Sequence, residues 1–185
     1  MRVIALLLFV LASVASASAQ GVYDLTVKAD PTKASKSPWD GVPGLAKSRV
    51  NLNEPPDIAV CIVQATGKPQ CLWKPQGRRL LSICQNSFTC TFEQVSLPST
   101  PVGLLFIDID ARLHDLIDIV ILSNNVTEPD IESALFKAMT ELTPNLSENA
   151  KERGLDKVKV LPLQQCAGGQ PCRLTQSEFQ LKRKN

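Results

Sequence analysis

Two short apolar runs, Val102 to Asp110 and Leu116 to Leu122, stand five residues apart and constrain the fold of this chain more than any other feature. Both are rich in valine, isoleucine and leucine, and turn-forming residues flank them, so they read as neighbouring strands. Their junction, FIDIDARLHDLIDIVIL, carries four aspartates and the only histidine of the chain, His114. On a strand, alternate residues share a face. Leu105, Ile107 and Ile109 therefore point into a core, and Phe106, Asp108 and Asp110 point the other way. Asp108 and Asp110 then lie about 6.5 to 7 Å apart, and Asp115 returns beside His114. His114 reads as an exposed loop residue and Asp118 as a strand-surface residue.

Further strands read along the chain at Val22 to Lys28, Asp57 to Gln64, Cys71 to Lys74, Leu80 to Cys84 and Phe88 to Val95. Short strands separated by turn residues at this spacing predict an all-β, antiparallel sandwich. The polar segment Thr32 to Pro56 is loop, and within it Trp39 is expected to pack. One helix is expected late: Thr127 caps it, Glu128, Pro129 and Asp130 fill the first turn, and Ile131, Leu135, Ala138, Met139 and Leu142 recur at helical spacing. Lys157 to Gln164 and Arg173 to Leu181 read as a closing hairpin around Cys166 and Cys172.

Met1 to Ala19 has the form of a secretory signal: a basic start, an apolar run and the small-residue exit Ala17-Ser18-Ala19. Its apolar run is shorter than the about 20 residues of a spanning helix. Removal of 19 of the 185 residues leaves 166, read as one domain over 20–185. The expected product is a secreted or periplasmic monomer without a transmembrane segment. A formal net charge of +2 gives no global case for nucleic acid as partner. Six cysteines in an exported chain point to disulfides. Six cysteines allow about 15 pairings. Proximity and the intervening turn residues favour Cys61 with Cys71, Cys84 with Cys90, and Cys166 with Cys172. A zinc set is disfavoured by the lack of Cys-x-x-Cys and by the single histidine.

Carboxylates that converge on one loop repel one another, and protonation, solvent or a cation relieves the repulsion. Hard oxygen ligands at a sheet rim suit calcium. Asp57, which opens a strand where a loop ends, and Asp40 of Trp39-Asp40-Gly41 add to Asp108, Asp110 and Asp115 if their loops meet at one end of the sandwich. Two readings stand for these acids: ligands of a calcium ion, or loop residues that serve solubility.

The order Trp39-Asp40-Gly41, Asp57-Ile58-Ala59-Val60, Asn86-Ser87-Phe88 leading to Phe92, and Asp108-Ile109-Asp110 with Asp115 resembles the C2 domain over roughly residues 22 to 122. The resemblance implies an eight-stranded calcium- and phospholipid-binding β-sandwich, here with one helix inserted before the last strands. It also implies Asp40, Asp57, Asp108, Asp110 and Asp115 as the calcium ligands. The expected function is that of an exported binding module in which calcium neutralises the acidic cup and bridges it to anionic lipid headgroups or to a protein partner. The alternative is a calcium-independent, disulfide-stapled sandwich for protein contacts. A hydrolase ranks below both. Two acids at i and i+2 on a strand have the separation a two-carboxylate mechanism uses, but so does any such pair. The chain has no Gly-x-Ser-x-Gly or phosphate-loop motif, and it is read as no enzyme.

Overall fold

The strand that opens the described chain alternates strictly: Tyr23, Leu25, Val27 and Ala29 are buried, while Val22 and Lys28 face solvent. That pattern belongs to a sheet with one wet face. The structure is a computed structural model that describes residues 21–33, 39, 55–76, 79–109, 114–142, 146, 150 and 158–184. Among these residues the element order is β1 (Gly21–Ala29), β2 (Ile58–Val63), β3 (Gln70–Gln76), β4 (Arg79–Ser82), β5 (Thr89–Leu97), β6 (Val102–Asp108), β7 (Asp115–Leu122), α1 (Pro129–Leu142), β8 (Lys159–Leu161), α2 (Leu163–Ala167), β9 (Cys172–Arg173) and β10 (Ser177–Arg183). The signal-like segment lies outside the described residues.

The strands form two sheets, one of four in the order β5-β1-β10-β9 and one of six in the order β4-β3-β2-β6-β7-β8. The chain is thus mostly β, as expected, but the described residues hold ten strands where eight were expected. The two sheets pack face to face through Leu25, Val27, Phe92, Phe179 and Leu181 on one side and Ile58, Val60, Leu104, Phe106 and Val120 on the other. Phe106 and Phe179 meet across this core with ring centroids 5.5 Å apart.

The central strands β2, β6 and β7 do not alternate, because the six-stranded sheet is covered on both faces. Its second face, with Cys61, Leu105, Ile107, Leu116, Ile119 and Ile121, packs against Ile131, Leu135, Ala138 and Met139 of α1. The expected wet face of β6 is therefore absent, and Phe106 and Asp108 are both buried. Helix and sheet approach closely at Gly103, where a Cβ atom would sit 2.7 Å from Leu135 Cδ2. Pro129 opens α1, and Glu132 N–H donates to Glu128 O at 2.9 Å. The cap position is thus Glu128, one residue after the expected Thr127.

The closing hairpin does not form. β8 runs parallel to β7 at the edge of the six-stranded sheet, α2 follows Pro162, and β10 crosses to the other sheet beside β1. Pro162 ends β8 because it supplies no N–H to a ladder. The three disulfides join Cys61 to Cys71, Cys84 to Cys90 and Cys166 to Cys172. The first links directly opposed residues of β2 and β3. The second ties the two sheets, since Cys84 bridges Ile58 of β2 while Cys90 lies on β5. The third closes α2 onto β9. No described helix is long and apolar enough to cross a membrane.

Candidate functional site

The start of β2, the end of β6 and the start of β7 meet at one end of the six-stranded sheet, where Ile58 pairs with Asp108 and Asp108 with Asp115. Three of the expected ligands, Asp57, Asp108 and Asp115, thereby come to one rim. Asp40 and Asp110 lie outside the described residues. Each of the three has a protein partner. Asp108 is fully buried, and its Oδ1 accepts the N–H of Asp57 at 2.8 Å. Asp57 in turn accepts the N–H of Asn86 at 2.7 Å and holds the tight turn in which Asn86 adopts a φ of 49°. Asn tolerates that left-handed conformation better than most residues. Asp115 is ion-paired with Lys33.

The Lys33 contact is itself built in. Lys33 Nζ lies 5.7 Å from the centre of the Trp39 ring, over its face, and Trp39 is 1% exposed with its Nε1–H donating to Asp30 O at 2.8 Å. Asp30 forms a two-point pair with Arg173, 2.6 Å at the Nη1 contact, and this pairing raises the affinity of Arg173 for its proton. Trp39 therefore packs, as expected, with its ring against the lysine that pairs with Asp115. His114 is 8% exposed and lies 6.5 Å from the Trp73 ring centre, which corrects its reading as an exposed loop residue. Burial lowers its pKa and favours the neutral ring.

Asp118 also departs from expectation. Phe106 pairs with Asp118 and Ile107 with Leu116, so Ile117 is an extra residue in β7. This bulge turns Leu116 to the helix-covered face, while Asp118 lies with Val120 and Leu122 on the face toward the four-stranded sheet. There it is 1% exposed and accepts from Gln176 N–H at 2.7 Å, Ser177 Oγ–H at 2.9 Å and Thr175 N–H at 3.4 Å. Burial pushes its pKa up to about 6 against the opposing pull of these donors and Arg173. Its donors lie 57 to 59 residues away, on a turn that no local pattern links to β7, so sequence reasoning missed this acid.

Among the described residues no group of three acids, histidines or cysteines is arranged to hold a metal ion. A separate groove of about 380 Å³ opens between β5 and the β2–β3 edge. Phe92, Val95, Ile62 and Leu72 floor it, and Ile83, 45% exposed, forms its lip. At its rim β5 bulges: Gln94 has a φ of 55° and donates its N–H to Asp24 Oδ1 at 3.2 Å. A larger groove of about 560 Å³ lies between the β2–β3 turn and α1 and shares no residue with the acidic rim. Comparison with protein-family models, curated proteins and solved structures finds no match.

Proposed function

We propose that this chain is an exported, disulfide-stapled binding module that engages a protein partner without calcium. The observation that carries the reading is the engagement of the acids: Asp115 by the Lys33 ammonium, Asp57 by the Asn86 amide, and Asp108 by the Asp57 amide. A carboxylate whose charge a lysine already balances takes a metal only in competition with that lysine. The groove beside β5 supports a protein rather than a lipid surface. Its floor is apolar, its rim residues Gln70, Thr91, Gln94 and Ser96 are neutral donors and acceptors, and among the described residues its one charged lining residue, Glu93, is an acid. Anionic headgroups attract bases, not acids.

A second reading is favoured by the register that gathers Asp57, Asp108 and Asp115 on one rim. In it, these residues with Asp40 and Asp110 form a C2-like calcium cup that bridges to anionic lipid. Calorimetric titration of the oxidised protein with calcium to about 10 mM separates the two, since extracellular calcium modules bind at about 10⁻⁴ to 10⁻³ M. No binding heat is expected. Saturable binding that disappears in Asp108→Asn and Asp115→Asn would replace the first reading by the second. In sedimentation with phosphatidylserine vesicles, the protein is expected to stay in the supernatant with and without calcium.

A further inference from the structure

The turn between β9 and β10 is held from beneath by a single acid of the opposite sheet. Asp118 of β7 takes the amides of Thr175 and Gln176 and the hydroxyl of Ser177, and Gln176 Nε2 donates to Ile117 O at 3.3 Å. The same turn is tied outward, where Asp30 N–H donates to Gln176 O at 2.8 Å and Leu174 N–H to Ser177 O at 2.8 Å. Gln176 and Ser177 are 2% and 0% exposed. Through this polar knot a carboxylate joins β7 to the turn that carries β9 and β10 of the other sheet.

We infer that Asp118 and the 174–176 turn form a proton-operated latch between the two sheets, tightest in acid and looser as the medium becomes neutral. The groups that face it fix the behaviour. From β9 comes Arg173, which is paired with Asp30 after β1 and feels Glu178 of β10. From β8 comes Lys159, whose Nζ donates to Arg173 O at 2.8 Å. Earlier in β7 lies Asp115 with Lys33. On β6 the residue opposite is Phe106, packed on Phe179 of β10, so that side offers no charge. Arg173 is shared among acids and lowers the Asp118 affinity for a proton less than burial raises it.

The direction follows from where the proton binds more strongly. Asp118 titrates at about 6 in the closed state. Once the turn opens and water reaches the carboxyl, it returns to about 3.9. The closed state thus holds a proton that the open state releases between those values. The latch is at full strength below about pH 4 and weakens as pH rises toward 6, beyond which it changes no further.

Amide hydrogen exchange on the oxidised full-length protein from pH 4 to 7.5 tests this, with rates at Thr175 and Gln176 corrected for their intrinsic pH dependence. The opening constant of the turn is expected to rise on the order of 100-fold between pH 4 and 6.5 and then level. In Asp118→Asn it is expected to stay flat across the range. A flat profile in the parent protein, or the same rise in Asp118→Asn, would overturn the latch. If the variant does not fold, the carboxyl carbon of Asp118 is read directly in the parent protein by NMR titration. A midpoint near 6 with a concerted shift of the Gln176 amide supports the latch, and a midpoint near 4 removes it.

Discussion

At the scale of single residues, the acids of this chain act as hydrogen-bond acceptors for distant backbone. Asp108 shows how. Its Oδ1 takes the Asp57 amide, and that amide sits where the loop before β2 enters the sheet, with Ile109 N–H donating to Asp57 O at 3.0 Å on the return. The pair of contacts locks the end of β6 to the start of β2. Truncation would leave a part-buried N–H without its acceptor, at about 1 to 3 kcal/mol for a lost hydrogen bond of this kind. Asp108→Ala is therefore expected to lower unfolding stability by about 2 to 3 kcal/mol, read as a fall in the urea midpoint at unchanged slope. Asp108→Asn, which keeps one acceptor, is expected to lose less. Strand alternation placed Asp108 away from the core, at the candidate calcium edge, and Asp118 on the strand surface. Their compensating donors lie 51 and 58 residues away, at Asp57 and Gln176, and no local pattern announces them.

At the scale of elements, the decisive contact is α1 on the six-stranded sheet. Gly103 of β6 lets Leu135 approach to a distance that no Cβ tolerates, and both faces of the sheet become dry. Gly103→Ala is expected to destabilise the fold by about 1 to 3 kcal/mol through overpacking. In Gly103→Ala with Leu135→Val, the loss is expected to fall below the sum of the two single losses, as contacting residues require. A thermal denaturation cycle over the four proteins checks this. The strands that sequence reasoning placed correctly, such as β1, β6 and β7, and the helix α1 declare themselves by local period and by flanking turn residues. What it missed depends on partners instead. β8, expected as one arm of a closing hairpin, pairs in parallel with β7 instead, and α2 begins where Pro162 stops that pairing. The disulfide pairs were legible because each closes a short loop. The acidic rim was legible as a gathering of residues, but Lys33 as its counter-charge was not, since 82 residues separate it from Asp115.

At the scale of the whole molecule, the three bridges each close a short local loop. Cys61–Cys71 fixes the β2–β3 hairpin, Cys84–Cys90 closes one edge between the sheets, and Cys166–Cys172 anchors α2 to β9, a strand of two residues. The sequence separations are 10, 6 and 6 residues, so each loop is short. On loop-closure entropy such bridges contribute about 2 to 3 kcal/mol each. Together they approach the about 5 to 15 kcal/mol by which a domain is stable at all. They are not equivalent, however. The β2–β3 hairpin is also held by its ladder and by the packing of Cys61 and Cys71 beside α1. Between β4 and β5 the chain crosses from one sheet to the other, and there Cys84–Cys90 constrains a turn held otherwise by the Asp57 contact to Asn86 and by Ser87 N–H donating to Pro56 O at 3.2 Å. The double variant Cys84→Ser with Cys90→Ser is therefore expected to lose about 2 kcal/mol by urea titration. Adding Asp57→Ala to it is expected to cost more than Asp57→Ala costs in the bridged protein, because the bridge and the carboxylate restrain the same turn. Strict additivity of the two losses would show that they act on separate parts of the molecule.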